Sequence, residues 1–68
     1  MKLSARNQLA GSVVEVKEGA VEAQVKIDIG GGQRVTSVIT MDALADLGIA
    51  VGDQVVAIIK ADAVMLGK

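Results

Sequence analysis

In the segment Val21–Ile29, apolar and polar residues alternate without a break over nine positions. The odd positions hold Val, Ala, Val, Ile and Ile, and the even positions hold Glu, Gln, Lys and Asp. This two-residue period is that of a β-strand, in which successive side chains point to opposite faces. The segment is therefore predicted to form a strand with its odd positions buried and its even positions in water.

Two further strands are predicted around this segment. Leu9–Val16 precedes it, and the turn Lys17–Gly19 joins the two, because Gly19 can adopt the positive φ of a hairpin turn. Gly30–Gly32 follows and could be taken for a phosphate-binding loop. Such a loop requires a helix next, whereas Gln33–Thr40 is typical of a strand, so the three glycines are interpreted as a hairpin connection.

The second half of the chain is predicted to hold one short helix and two more strands. Thr40 is a suitable N-cap for a helix at Met41–Leu47, and Gly48 is a suitable terminator. Strands are predicted at Gln54–Lys60 and Ala63–Leu66. Five or so strands with a helix after the third is the order of a small OB-type Greek-key barrel, an all-β fold. An open meander that completes itself by exchanging strands with a neighbouring copy is the alternative.

The size and composition of the chain predict self-association. Its 68 residues amount to a single domain, and a domain this small usually needs disulfides, a metal or partner subunits. There is no Cys for a disulfide, and without His and Cys a zinc site is disfavoured. Since 51% of the residues are hydrophobic, other copies of the chain are expected to cover part of the apolar surface.

Several classes of function are disfavoured by the residues that the chain lacks. Without His, Cys or Tyr it has few groups for acid–base or nucleophilic catalysis, so it is predicted not to be an enzyme. Without aromatic residues for base stacking, and with a net charge of −1, it is not expected to bind nucleic acid. No signal peptide and no membrane-spanning apolar run are visible, so a cytoplasmic protein without a membrane partner is predicted.

The remaining polar residues favour an oxyanion as ligand. A tetrahedral dianion offers only acceptors, so its site should supply donors: guanidinium, ammonium, hydroxyl and backbone N–H groups. Ser4–Asn7 concentrates such groups within four residues, and Lys60 places an ammonium at the end of an apolar strand. Ser37 and Thr40 add hydroxyls. Each of these residues also has an ordinary surface or capping role, so the residues by themselves predict only a small all-β domain with some anion-binding character.

A family resemblance strengthens this interpretation. Ser4–Gly11 resembles the signature of the molbindin, or Mop, domain, which is also found at the end of molybdate transporter ATPases and molybdate-responsive regulators. Val35–Thr40, Leu47–Ile49, Gly52 and Ala57–Ala61 follow in the family's order and spacing. The resemblance covers essentially the whole chain, which is identified as one Mop domain over residues 1–68.

The resemblance implies a fold, an assembly and a ligand. Free-standing members of this family are OB-type barrels that assemble as homohexamers, trimers of dimers. They bind molybdate, and often tungstate, between subunits. The implied function is intracellular storage and homeostasis of molybdenum as the oxyanion, with no bare metal cation involved.

The resemblance also implies roles for individual residues. The resemblance implies that two subunits contribute to each oxyanion site. One subunit is expected to provide Ser4, the backbone at Ala5, and Arg6, and the other is expected to provide Lys60 and Ala61. Many relatives have Ser after the Lys, so Ala61 is left with only its backbone N–H to offer.

Other residues have weaker implied roles. Thr40 matches a position that contributes a hydroxyl in related domains, whereas Asn7 and Ser37 are secondary candidates. A second class of site on a symmetry axis is placed provisionally at the backbone of Gly19 and Ala20.

Two alternatives stay open at this point. The same domain serves as a sensor when it is fused to a transporter or a DNA-binding protein, so a regulatory module acting with a partner protein is the second interpretation. A nucleic-acid-binding OB-type barrel is the third and is disfavoured by the composition.

Overall fold

The computed structural model describes residues 1–68, which form one antiparallel sheet with a short helix. The elements are β1 (Asn7–Glu18), β2 (Glu22–Gly30), β3 (Gln33–Thr40), α1 (Met41–Leu47), β4 (Gln54–Ile59) and a 3₁₀ turn at Ala61–Ala63. The sheet order is β3-β2-β1-β4. Three hairpin-connected strands with the fourth returning beside the first make a Greek key. The all-β prediction is confirmed, and the sheet is curled into a half-barrel.

The long strand β1 produces the curl by changing partners along its length. Its first half, Asn7–Ser12, pairs with β4, and its second half pairs with β2. The register shifts between Val13 and Glu15, and such a bulge bends a strand and increases its twist. Close packing at the change of partners excludes a side chain at Gly11, because an added Cβ would lie 2.5 Å from the carbonyl oxygen of Asp28.

The core confirms most of the predicted alternation in β2. Ala23, Val25 and Ile27 are buried, together with Val13 from β1 and Leu44 from α1. The prediction was wrong at its first position: Val21 lies outside β2 and is 72% exposed. It belongs instead to the connection that precedes the strand, where no neighbouring strand covers it.

Helix α1 begins and ends as predicted. The Thr40 hydroxyl accepts a hydrogen bond from the backbone N–H of Ala43 at 3.0 Å, which satisfies one of the unpaired donors of the first turn. Gly48 adopts the left-handed conformation, with φ of 62°, and closes the last turn.

The loop after the helix is attached to the centre of the sheet. The backbone N–H of Gly52 donates to the carbonyl of Val13 at 2.8 Å, and the N–H of Val13 donates to the carbonyl of Asp53 at 2.9 Å. The Asp53 carboxylate accepts from the N–H of Ala50 at 2.9 Å. These bonds fix the point at which β4 begins beside β1.

Two sequence predictions about turns and strands were wrong. Gly19 does not have positive φ; it is needed because an added Cβ would lie 2.8 Å from the carbonyl oxygen of Glu22. The strand predicted at Ala63–Leu66 is absent: the chain makes a 3₁₀ turn at Ala61–Ala63 and continues without a strand partner. The single chain therefore has four strands, not five.

Candidate oxyanion-binding site

The opening segment and Lys60 lie at the same end of the sheet because β1 and β4 are antiparallel neighbours. Asn7 is paired with Ile59 in the strand register, so Arg6 and Lys60 extend from the ends of adjacent strands. The Asn7 side-chain amide donates to the carbonyl of Ile59 at 3.1 Å and ties the strand ends together. The two segments are therefore neighbours within one chain, and the expectation that one site takes them from different subunits stays a prediction.

The charged groups at this end have no carboxylate partner. The one ion pair of the chain joins Lys26 and Glu15, at 3.5 Å. Arg6 and Lys60 are both exposed, and neither forms an ion pair with an acidic side chain. Two positive charges without an ion-pair partner at one end of the sheet attract an anion.

Backbone donors at this end are also free. The N–H groups of Ala5, Arg6 and Ala61 donate to no acceptor within the chain. The carbonyl of Ala5 accepts a hydrogen bond from the Gln8 side chain at 3.1 Å. Because the peptide group is planar and trans, this bond directs the N–H of Arg6 to the opposite side. Gln8 was not among the predicted site residues, although it lies within the Ser4–Gly11 motif that identified its neighbours.

Thr40, Gly19 and Ala20 lie at the opposite end of the sheet. Thr40 is paired with Glu22 at the end of β3. This end is separated from Asn7 by most of the length of the 12-residue strand β1. The structure therefore does not bring Thr40 together with Arg6 and Lys60 in one chain.

The donors at the Thr40 end differ in availability. The Thr40 oxygen accepts from Ala43, which leaves the hydroxyl hydrogen free to donate to another group. The N–H of Gly19 already donates to the carbonyl of Glu22 at 2.9 Å and is not available to a ligand. Ser37 lies away from both ends, half-buried opposite Val25 on the core-facing side of β3.

The single chain does not enclose the predicted donors. Ser4, Arg6, Lys60 and Ala61 are exposed, whereas Ala5 and Asn7 are half-buried. Of the predicted site residues, only Gly19 lines either of the two cavities in the structure. There is also no cluster of three acidic side chains that could hold a metal cation. The seven-residue α1 is the one α-helix, and no helix has the length and apolarity needed to cross a bilayer.

The geometry thus defines a small Greek-key domain with an open cluster of cationic and N–H donors at one end of its sheet. Comparison with known proteins agrees with this class. Residues 3–66 match the family model of the TOBE domain. The chain belongs to the TOBE-domain family and, within it, to the small molbindin (Mop) proteins.

Individual relatives match over nearly the full chain. Molybdenum-pterin-binding protein 3 of Clostridium pasteurianum is 50% identical over 66 residues, which are 97% of each chain. A crystallised molybdate-binding protein of Sporomusa ovata is 38% identical, superimposes with a TM-score of 0.93 and is covered completely, as is this chain. The cytoplasmic molybdate-binding protein ModG, with molybdate bound, is 45% identical with a TM-score of 0.94; the match covers 98% of this chain and 48% of that one.

Proposed function

We propose that this protein binds molybdate, and tungstate as a close analogue, as an oxyanion carrier rather than as an enzyme. The observation that carries the proposal is the donor cluster at one end of the sheet: Arg6 and Lys60 without acidic partners, beside backbone N–H groups of Ala5, Arg6 and Ala61 without acceptors. A dianion with four acceptor oxygens complements such a cluster, because every group in it can donate. Ser4 adds a hydroxyl to the same set.

The names of the relatives support molybdate as the particular anion. They are called molybdenum-pterin-binding or molybdate-binding proteins, and one was crystallised with molybdate. These names describe binding rather than catalysis, which agrees with the absence of His, Cys and Tyr from this chain.

The site is proposed to lie between subunits of a homohexamer built as a trimer of dimers. The donors of one chain are on an open surface, where water competes for every hydrogen bond and screens the charges. A second subunit that covers this surface lowers the local dielectric and strengthens each contact with the anion. Because Thr40 lies at the far end of its own sheet, its hydroxyl can join the site only from another copy.

The exposed apolar residues support self-association. Large hydrophobic side chains in contact with solvent occur from the first residue to the last ones: Met1, Leu3, Val21, Val38, Leu47, Val51, Val56, Ile58, Val64, Met65 and Leu66. A monomer rarely leaves so much of its apolar surface in water, and burial against other copies stabilises the chain. Storage of molybdenum in the cytoplasm is the proposed role of such an assembly.

Equilibrium dialysis tests the binding directly. The purified protein, dialysed against micromolar molybdate, is expected to retain the ion, and tungstate is expected to displace it. Native mass spectrometry of the same samples should show six chains and a fixed number of added oxyanions. Protein that retains no molybdate at micromolar concentration would refute the proposal, and an assembly other than six chains would refute the hexamer alone.

A further inference from the structure

Gln8 is an exposed residue of β1 whose side chain turns back toward the segment that precedes the strand. Its register partner on β4 is Ile58, and both residues are exposed. The Gln8 side-chain amide donates to the carbonyl of Ala5, three residues earlier, at 3.1 Å. This is the one hydrogen bond that residues 1–6 make within the chain. Gln8 therefore attaches the opening segment to the first strand.

The bond from Gln8 to Ala5 encloses two residues of the candidate site, Arg6 and Asn7. A local bond from a side chain to a nearby backbone group fixes the conformation of the residues between its ends. On the other side, Asn7 donates to the carbonyl of Ile59 at 3.1 Å. Gln8 thus holds the peptide group before Arg6, and Asn7 holds the strand after it, so the backbone of Arg6 is fixed on both sides.

The peptide group that Gln8 holds contains one of the free donors of the cluster. The Ala5 carbonyl and the Arg6 N–H belong to this group and point in opposite directions, because the peptide bond is planar and trans. A hydrogen bond accepted by the carbonyl also polarises the group and strengthens its N–H as a donor. The Arg6 N–H has no acceptor in the chain. Gln8 therefore affects both the direction and the strength of a donor that is available to an anion.

The position of Gln8 separates this effect from charge and from packing. Its side chain is exposed, so it adds little to the core. It is neutral, so it adds nothing to the positive charge of Arg6 and Lys60. Because water competes for a hydrogen bond on the surface, loss of the bond should change the stability of the fold only slightly.

We infer that Gln8 is a positioning residue of the oxyanion site. Its amide holds the peptide group between Ala5 and Arg6 so that the Arg6 N–H is directed toward the anion and polarised. Gln8 acts through Arg6 and does not contact the anion itself. The inference rests on the oxyanion binding in the proposed function. Molybdate and tungstate should depend on Gln8 equally, since both are tetrahedral dianions that accept from the same N–H.

Substitution of Gln8 tests the effect on affinity. Gln8→Met removes the amide and keeps an unbranched side chain of similar length, and it is expected to weaken binding of both anions about three- to tenfold in equilibrium dialysis. Gln8→Glu should weaken binding further, because its carboxylate cannot donate to Ala5 and repels the anion. Native mass spectrometry and urea unfolding should show the wild-type assembly and nearly wild-type stability for both variants.

Gln54 provides a matched control on the same pair of strands. It is an exposed glutamine of β4, and its amide donates to the hydroxyl of Ser12 at 2.8 Å. The pair Ser12 and Gln54 lies at the opposite end of the contact between β1 and β4 from Asn7 and Ile59. Gln54→Met therefore removes an equivalent hydrogen bond away from the donor cluster and should leave molybdate affinity unchanged.

Nuclear magnetic resonance of the Arg6 amide distinguishes positioning from a general structural role. The chain has two arginines, Arg6 and Arg34, so labelling with ¹⁵N-arginine gives two backbone amide signals. In the protein without anion, Gln8→Met should move the Arg6 signal, because the preceding carbonyl loses its hydrogen bond, and should leave the Arg34 signal in place. Saturating molybdate should shift the Arg6 amide proton downfield in the wild type and by a smaller amount in Gln8→Met.

Three results would overturn the inference while the proposed function stands. They are wild-type affinity in Gln8→Met, equal weakening in Gln8→Met and Gln54→Met, and weakened binding with an unchanged response of the Arg6 amide. The last result would mean that Gln8 contacts the anion directly. A wild-type protein that retains no molybdate would refute the proposed function and this inference together, and that outcome is recognised before any substitution is made.

Discussion

The side-chain amide of Asn7 donates to the backbone carbonyl of Ile59 at 3.1 Å and joins two residues that are 52 positions apart in the chain. The bond lies where β1 begins and β4 ends, directly behind Arg6 and Lys60. It therefore holds the two cationic segments of the candidate site in a fixed relation. The affinity for an anion that contacts both segments therefore depends on their relative position, which the pairing of the two strands determines.

Replacement of Asn7 tests this relation. Asn7→Ala is expected to lower the free energy of unfolding by about 1 kcal/mol, the usual net value of one hydrogen bond, and to weaken molybdate binding. Asn7→Asp should weaken binding further, because its carboxylate repels the ion, and added salt should narrow the difference between the two variants. Urea unfolding at fixed protein concentration and equilibrium dialysis measure the two effects. If Asn7→Asp binds molybdate with wild-type affinity, the anion does not bind beside Asn7.

The two cations are expected to carry the affinity. Arg6→Ala and Lys60→Ala should each weaken molybdate binding at least about tenfold, because a hydrogen bond to a charged group contributes about 1.5–3 kcal/mol. The fold of each chain should survive both changes, since the two side chains are exposed in the single chain and form no ion pair there. Arg34→Ala on β3 removes the same charge away from the site and serves as the control. If it weakens binding as much as Arg6→Ala, net charge and not the cluster determines affinity.

The strands and the helix were predictable from the sequence where neighbouring residues determine them. Residue alternation identifies β2, and the Thr40 and Gly48 caps delimit α1, because strand periodicity and capping depend on neighbouring residues. The segment Ala63–Leu66 shows the limit. Its run of apolar residues is typical of a strand, but a strand also needs an edge to pair with, and within the single chain these residues pair with no strand.

The site was predictable in its chemistry but not in its arrangement. The donor character of Ser4, Arg6 and Lys60 follows from residue type alone. Their proximity, and the distance of Thr40 from them, follow from the register in which β1 pairs with β4 and β2 with β3. Register is set by contacts between residues that are far apart in sequence, so it cannot be predicted from a local pattern of residues.

Thr40 has two roles that substitution can separate. Thr40→Ala removes the helix cap and is expected to cost about 1 kcal/mol of stability, whereas Thr40→Ser keeps a hydroxyl that can accept from Ala43. If the hydroxyl hydrogen also donates to the oxyanion, Thr40→Ala should weaken molybdate binding and Thr40→Ser should preserve it. Thermal unfolding without ligand and dialysis with ligand give the two quantities. Equal molybdate affinity in both variants would limit Thr40 to the capping role.

Gly11 tests the packing that lets β1 change partners. In Gly11→Ala the new Cβ would meet the carbonyl oxygen of Asp28 at 2.5 Å and a methyl group of Ile27 at 2.7 Å, so the two strands must move apart. Overpacking of this kind typically costs about 1–3 kcal/mol. Gly67→Ala, whose Cβ would meet nothing within 4 Å, is the matched control. Urea unfolding should separate the two variants clearly, and equal stability would show that the sheet can widen at Gly11 without cost.

Ala61 offers a test in which binding should improve. The residue follows Lys60 directly, its N–H donates to no acceptor, and its methyl group cannot donate to an anion. Ala61→Ser adds a hydroxyl beside these donors and is expected to tighten molybdate binding about three- to tenfold, the effect of one added hydrogen bond. Ala63→Ser makes the same change at the other end of the 3₁₀ turn and should leave the affinity unchanged. Dialysis of both variants against molybdate decides the matter: an unchanged affinity in Ala61→Ser would mean that the anion lies beyond the reach of this side chain, even if Lys60 proves essential.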